Sequence, residues 1–173
     1  MRVELASLER HGGKFAHNYQ PGEFELNEDR VTVVAAPRVS GRILRSDSKV
    51  TIKGEVSAEL QIECDRCLKS LPVPVSSTFE VEYVTPDVYE AGQAAELIDE
   101  DLSLSIFDGE VIDIDELVRE QLLLALPAQI LCGEDCKGLC PQCGSDRNVV
   151  DCKCQEAEVD PRWAGLKEIV NRE

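Results

Sequence analysis

Residues 49 to 67 read KVTIKGEVSAELQIECDRC, and the period of this stretch decides the fold. Val50, Ile52, Val56, Ala58, Leu60 and Ile62 share one parity, while Lys49, Thr51, Lys53, Glu55, Glu59, Gln61 and Glu63 share the other. Successive strand side chains point to opposite faces, so this alternation predicts a strand with one buried face. A strand covered on both faces would be apolar throughout, so the polar half argues for an antiparallel sheet with one side in water.

Working upstream, Val31, Val33, Ala35, Val39 and Ile43 alternate with Thr32, Arg38, Ser40 and Arg42, and Ser46-Asp47-Ser48-Lys49 reads as the turn between two strands. Inward residues are odd-numbered before the turn and even-numbered after it. Opposed residues share a face, so their numbers must sum to an odd value, which an even loop such as Asp47-Ser48 satisfies. The same parity places Arg38, Arg42, Lys49 and Lys53 on the outer face, near one end of the hairpin. These four form a basic cluster on an otherwise acidic chain, the face on which any direct contact with a nucleic-acid backbone would fall. Residues 1 to 30 are weakly informative: Leu5, Leu8 and Phe15 seat a short helix or strand, and His11 and His17 read as surface histidines.

Downstream, Phe79, Val81 and Tyr83 alternate with Thr78, Glu80 and Glu82, and Pro72 and Pro74 mark the beginning of this strand as an edge, because each removes a ladder donor. Pro86 to Asp101 holds six acids and no base and predicts an exposed, mobile acidic loop. Leu102, Leu104 and Ile106 resume the alternation, Phe107-Asp108-Gly109-Glu110 reads as a second hairpin-like turn, and Val111 to Ile114 as a short return strand. Asp113 to Leu126 predicts a helix, with Asp113 and Glu116 as a capping box, Pro127 as the stop, and an apolar second half buried on the sheet. Asp160-Pro161, followed by Trp163, Leu166, Ile169 and Val170 at helical spacing, predicts a short C-terminal helix.

The eight cysteines carry the chemistry. Residues 132 to 154 read CGEDCKGLCPQCGSDRNVVDCKC and hold six of them; the other two close the first strand discussed as Cys64-Asp65-Arg66-Cys67. A Cys-x-x-Cys knuckle aims two thiolates at one point, and four soft thiolates suit Zn²⁺ better than any hard cation. The preferred partition is a local set, Cys140, Cys143, Cys152 and Cys154, and a long-range set, Cys64, Cys67, Cys132 and Cys136, hence two Zn²⁺ sites. The alternative is one zinc with the remaining thiols free. Disulfides belong to secreted chains, and this one opens MRVELASLER, with charges where an apolar signal core would lie. A redox pair would need a βαβ context that Cys64, ending an antiparallel strand, lacks.

Several of these segments, in this order, make the chain resemble the YceD-like family, the large ribosomal RNA subunit accumulation proteins. They are the Cys64 to Cys67 knuckle, the run from Asp113 to Pro127, the block from Cys132 to Cys154, and Asp160-Pro161-Arg162. The resemblance spans about Val31 to Val170. The chain departs from the usual pattern at Ser145-Asp146-Arg147-Asn148, where an Asn-Leu-Asn-like turn is commoner, and at Trp163. Membership implies a ribosome-biogenesis factor supporting accumulation or processing of large-subunit (23S) ribosomal RNA. It also hints at a basic large-subunit ribosomal protein as partner.

Composition sets further bounds. A chain of 173 residues fits one domain with an appendage. The expected division is 1–131, an α+β unit built on a mainly antiparallel sheet or barrel-like domain with a buried helix, and 132–173, a zinc-knuckle region with its helix. No stretch approaches the roughly eighteen apolar residues that span a bilayer, which with reduced thiols reads as a cytoplasmic protein without a membrane partner. The formal net charge is −16, and residues 79 to 120 carry fourteen acids against one base, Arg119. That segment repels phosphate backbones and suits a basic protein. No phosphate loop, nucleophile elbow or histidine placed for catalysis is present, so the reading is non-enzymatic, with no small-molecule substrate. Two other readings stand beside the ribosomal one: a zinc-stabilised adaptor that binds a basic partner through its acidic surface, and a redox or metal sensor using Cys64 and Cys67.

Overall fold

The computed structural model describes residues 1–7, 12–46, 49–92, 104–154 and 162. Two sheets form. The larger has the order β2-β3-β4-β5-β6, built from Gly12–Asn18, Val31–Arg45, Val50–Glu63, Ser70–Val84 and Leu104–Ile106; the smaller pairs β1 (Arg2–Glu4) with β7 (Val111–Asp113). Two α-helices, α1 (Pro86–Gly92) and α2 (Ile114–Leu124), and a 3-10 turn at Leu5–Ser7 complete the described structure.

The β3–β4 hairpin obeys the parity rule. Val39 faces Val56, Arg42 faces Lys53 and Arg45 faces Val50, while Ser46 and Lys49 close the turn through the Ser46 N–H donating to the Lys49 carbonyl at 2.9 Å. Asp47 and Ser48 themselves lie outside the described residues. Register slips by one residue between Val33 and Ala35 and again between Ala35 and Arg38. Two slips restore parity, so Val31 and Val33 still oppose the inward Ile62 and Leu60, and only Ala35 is displaced, opposite Glu59. Pro37 sits in this bulge, fully buried, with its carbonyl accepting from the Tyr19 N–H at 3.0 Å. A residue without an N–H is tolerated there because the ladder is already broken.

Farther along the hairpin, Gly41 faces Gly54 on the inner face. A Cβ on Gly54 would stand 2.5 Å from the Ser40 carbonyl and 2.9 Å from the Phe79 ring, and one on Gly41 would stand 2.8 Å from the Phe15 ring. Two aromatic rings thus lie over the paired glycines, occupying the space their side chains leave.

Several expectations are corrected. The main sheet is open, with β2 and β6 as its ends, so the barrel-like alternative does not hold. Residues 12–18 form a full strand beside β3, which a segment interrupted by Gly12-Gly13 did not reveal. Leu104–Ile106 and Val111–Asp113 do not form a hairpin: β6 runs parallel to β5, and β7 pairs with β1. Their intervening residues, with Gly109 at φ +89°, carry the chain between sheets. Pro86–Gly92 is a short helix and not loop, with the Tyr89 N–H donating to the Thr85 carbonyl at 3.0 Å. The rest of the expected acidic loop, 93–101, and the expected C-terminal helix apart from Arg162 lie outside the described residues. As expected, Pro72 and Pro74 lie where β5 has β4 on one side and no described strand on the other.

Helix α2 begins where expected, but the Asp113 carboxylate accepts from the Asp115 N–H at 3.0 Å, one residue before the position a capping box uses. Ile114, Leu117, Val118 and Leu122 are fully covered, packed with Ile43, Ile52, Val56, Leu60, Ile62 and Phe79 from the inner face of the sheet. Leu124, however, is 71% exposed, so the end of the helix is not buried all round. Tyr19, Phe24 and Leu26 close the same core from the β2–β3 connection, and the Tyr19 hydroxyl donates to Asp115 Oδ1 at 2.6 Å. The result is one helix layer on one sheet layer, leaving the other sheet face to solvent.

Candidate metal centres

The two cysteine knuckles have the same backbone geometry. In Cys64-Asp65-Arg66-Cys67-Leu68 the Leu68 N–H returns to the Cys64 carbonyl at 3.0 Å, and in Cys140-Pro141-Gln142-Cys143-Gly144 the Gly144 N–H returns to the Cys140 carbonyl at 2.8 Å. The fifth residue is left-handed in both, Leu68 at φ +59° and Gly144 at φ +72°. Glycine takes this conformation freely, whereas a side chain there costs about 1 to 2 kcal/mol. That a leucine holds it indicates how tightly the surrounding contacts specify the first knuckle.

Folding brings the eight thiols together in the two expected sets. In each, the four Sγ atoms lie within 4.8 Å of one another: Cys64, Cys67, Cys132 and Cys136 in one, Cys140, Cys143, Cys152 and Cys154 in the other. In the first, Cys64 Sγ is 3.8 Å from Cys136 Sγ and Cys67 Sγ is 3.6 Å from Cys132 Sγ. A tetrahedral ion with bonds of about 2.3 Å to sulfur requires sulfurs about 3.8 Å apart, so the set fits such an ion. All eight are free thiols. The sets differ in cover: Cys64, Cys67 and Cys136 are buried with Leu71, Leu131 and Leu139 around them, whereas Cys143 and Cys154 are exposed.

The electrostatics of each set has a common pattern. Burial works against ionising Cys64, but N–H groups of Cys67, Arg66 and Cys132 turned toward its sulfur prevail and bring its pKa down to about 6. Hydrogen bonding to Cys136, followed by that to Cys67, pushes Cys132 up to about 12. In the second set the Ser145 hydroxyl and N–H bring Cys143 down to about 6, and Cys143 in turn drives Cys154 up to about 12. Four crowded sulfurs cannot all ionise without a cation among them. A divalent ion removes that penalty, so binding expels protons and strengthens as pH rises.

Backbone and side-chain bonds fasten the first set to the sheet. The Asp65 N–H donates to the Ile130 carbonyl at 2.8 Å, and Asp65 Oδ2 accepts from the Ile130 N–H at 2.7 Å. Asp65 Oδ1 also takes Arg30 Nη2 at 2.9 Å. Arg66 bonds the Cys136 carbonyl through Nη1 at 2.9 Å, while its own carbonyl accepts from the Leu139 N–H at 2.9 Å. The Ile130 N–H, ahead of the Arg30 guanidinium, holds the Asp65 carboxyl below its ordinary pKa. A depressed carboxylate stabilises the fold above its unfolded-state value, about 3.9, and that stability is lost as pH falls through the lower folded value. Asp65→Asn is therefore expected to lower resistance to urea at pH 7 and to converge with the native chain toward pH 3. A gap that persists unchanged at pH 3 would show that the charge of Asp65 is not what matters.

The expected basic residues are all exposed on the outer face of the sheet, but they are not equivalent. Lys49 Nζ reaches Glu82 Oε1 at 2.6 Å and Lys53 Nζ reaches Glu80 Oε1 at 2.6 Å, across the β4–β5 pairing. Among the described residues no carboxylate is paired with Arg38 or Arg42. Register adds a residue that the sequence did not suggest: Lys14 of β2 faces Arg42, which faces Lys53, so three cations form one row across three strands. The only signal for Lys14 was the parity of 12–18, hidden by its glycines. Beside this row lies a trough of about 600 Å³ lined by Ala16, Asn18, Arg38, Ser40, Ser57 and Thr78, with Glu55 held by Ser40 Oγ at 3.2 Å. Within the cysteine block Lys137, Arg147 and Lys153 are exposed as well. His17 is on β2, within 3.1 Å of Glu23, and has no part in either thiol set; His11 lies outside the described residues.

No described helix is long and apolar enough to cross a membrane. The sequence profile of the family described as large ribosomal RNA subunit accumulation protein YceD matches residues 52–170. The uncharacterized protein YlbN of Bacillus subtilis is 31% identical over 150 residues, 86% of this chain and 82% of that protein. The uncharacterized protein Rv2926c of Mycobacterium tuberculosis is 29% identical over 177 residues, covering 100% of this chain and 83% of its own length. A chloroplastic protein of Arabidopsis thaliana, named large ribosomal RNA subunit accumulation protein YCED homolog 1, is 27% identical over 151 residues, 75% of this chain but 47% of the plant protein. No solved structure matches. With most of its length under the family profile, including both cysteine sets, this chain belongs to the YceD family of large ribosomal RNA subunit accumulation proteins.

Proposed function

We propose that this protein is a non-enzymatic ribosome-biogenesis factor of the cytoplasm, supporting the accumulation or processing of large-subunit (23S) ribosomal RNA, with two structural Zn²⁺ ions in its cysteine tetrads. The observation that carries the reading is family membership, joined to two sets of four thiols within 4.8 Å of each other. A site closed by four thiolates leaves no coordination position for substrate, which favours a structural over a catalytic ion. Cys64, Cys67, Cys132 and Cys136 would hold one ion; Cys140, Cys143, Cys152 and Cys154 would hold the other. We further propose the division at 131/132 as a functional one, a sheet domain and a zinc-bearing lobe fastened to it by the first tetrad.

For the RNA itself, the outer sheet face offers Arg38, Arg42, Lys49 and Lys53, extended by Lys14. Phosphate contacts need cations not already neutralised, so the weight falls on Lys14, Arg38 and Arg42. Three such contacts give log affinity against log salt a slope of roughly −2 to −3, weak binding at cellular salt. The pairing of Lys49 and Lys53 with Glu82 and Glu80 favours a second contact, in which the acidic stretch from Glu80 to Glu116 holds a basic large-subunit ribosomal protein. The test is affinity capture from cell extract, with and without nuclease, of the native chain, of a charge reversal at Arg38, Arg42, Lys49 and Lys53, and of a neutralised acidic stretch. Preribosomal RNA is expected with the native chain and lost on reversal. Capture of a basic protein that survives nuclease, unaffected by the reversal but abolished by neutralising the acids, would replace direct RNA contact with the adaptor reading.

A further inference from the structure

Asn148 belongs to the loop between Cys143 and Cys152, yet its side chain reaches the other cysteine tetrad. Its Nδ2 lies 3.5 Å from Cys136 Sγ and 2.7 Å from Asp146 Oδ1, while its Oδ1 accepts from the Lys137 N–H at 2.8 Å. An N–H facing the oxygen and two acceptors facing the nitrogen leave only one orientation for the amide. Asp146 Oδ1 also accepts from the Asn148 N–H at 2.8 Å, which fixes the side chain from its base.

The loop itself is laid back on the three residues that separate the tetrads. The Arg147 N–H donates to the Gly138 carbonyl at 3.0 Å, and Leu139 bridges Asp146. Gly138 is at φ +70°, and a Cβ there would stand 2.9 Å from the Arg66 carbonyl of the first knuckle, so the linker is pressed between both sites. Closing residues 144–151 is an entropic cost that an ion on Cys143, Cys152 and Cys154 offsets. Once closed, the same loop delivers an N–H donor to a sulfur of the other site. Donors to a ligating atom typically change metal affinity 10- to 100-fold.

We propose that the two tetrads load metal cooperatively, and that Asn148 is the positioning residue that couples them. The ligand class is a soft, tetrahedral divalent ion, Zn²⁺, with Co²⁺ as a probe. Linkage makes the coupling reciprocal: an ion in either site strengthens the other by the same factor. The proposal rests on the reading that both tetrads bind metal.

The experiment uses the full chain loaded with Zn²⁺, withdrawn by chelators of graded strength, with the freed thiols assigned by alkylation and mass spectrometry. Native protein is expected to hold two ions and to release Cys64, Cys67, Cys132 and Cys136 last. Cys143→Ser, which opens the second site, and Asn148→Ala, which keeps all eight thiols, are each expected to weaken the first site about 10-fold. Their combination is expected to be no weaker than either alone. In a Cys67→Ser background, where only the second site remains, Asn148→Ala is expected to change little; a role confined to its own loop would show there instead. Asn148→Asp, which sets an oxygen against Cys136 Sγ while keeping the acceptor for Lys137, is expected to weaken the first site further than alanine and controls for misfolding. Effects that multiply to about 100-fold in the double variant, or an unchanged first site in Asn148→Ala, would overturn the coupling while leaving two metal sites standing. A native chain that takes up no ion would overturn the metal reading, and the coupling with it.

Discussion

Stripping metal from the full chain with a strong chelator is expected to release residues 130–154 from the end of the sheet, while strands β3 to β5 keep their slowly exchanging amides. The described part of this segment contains no helix or strand, only the isolated Leu139–Asp146 bridge and turns. Its apolar anchor is small: Leu71, Leu131 and Leu139 are only partly buried around Cys64, Cys67 and Cys136. So little burial cannot offset the entropy of ordering the segment, whereas structural zinc contributes on the order of 10 kcal/mol to the folding of such units. The main core is elsewhere, on the inner face of the sheet and α2, and includes none of the eight cysteines. Hydrogen exchange followed by mass spectrometry, before and after chelation, reads the difference. Protection of residues 130–154 that survives complete metal removal would show that the fold holds this segment without an ion. Cys67→Ser should reproduce the loss at the first knuckle without a chelator.

Gly54→Val is expected to destabilise the sheet by about 3 kcal/mol, an amount comparable to truncating a buried leucine. Its Cβ would come within 2.5 Å of the Ser40 carbonyl, a backbone atom inside the hairpin that cannot move without breaking the β3–β4 register, and within 2.9 Å of the Phe79 ring. Ile52→Ala, at a position with 0% exposure two residues away, provides the yardstick, at about 2 to 5 kcal/mol. Urea denaturation of both variants is the measurement. If Gly54→Val unfolds with the native midpoint, the hairpin has room that the close contacts deny. Because the same pairing aligns Lys14, Arg42 and Lys53, even a folded Gly54→Val is expected to weaken any RNA contact made by that row.

Much of the hairpin was legible before any coordinates. A period of two over Val50 to Ile62 leaves one way to bury the apolar residues, and parity then dictates that a loop of even length joins the strands. The observed partners, Val39 with Val56 and Arg42 with Lys53, obey it. The cysteine partition was legible for a similar reason, since each two-residue-gap knuckle supplies two ligands and a tetrahedral ion needs one further close pair, here Cys132 with Cys136 and Cys152 with Cys154. Helix α2 was legible from Asp113 and its apolar face, although not the bond to Asp115 N or the exposure of Leu124, which depend on where the layer above it ends.

Long-range pairing was not legible. Nothing local in Val111–Asp113 says that it pairs with Arg2–Glu4 and not with Leu104–Ile106, because short strands have too few side chains to specify a partner. Gly12-Gly13 concealed β2, and with it the place of Lys14 beside Arg42. The neutralisation of Lys49 and Lys53 by Glu82 and Glu80 was equally hidden, since parity assigns a face but only the β4–β5 register assigns a neighbour. Alone, then, the sequence determined the strands of the hairpin, the buried helix and the local thiol set, because each follows from periodicity or spacing along the chain, while it only favoured the long-range set. Only the tertiary structure decided that the sheet stays open, which cations remain unpaired, and that Asn148 of one site touches a sulfur of the other. Those facts concern groups far apart in sequence, whose meeting depends on the register and packing of everything between them.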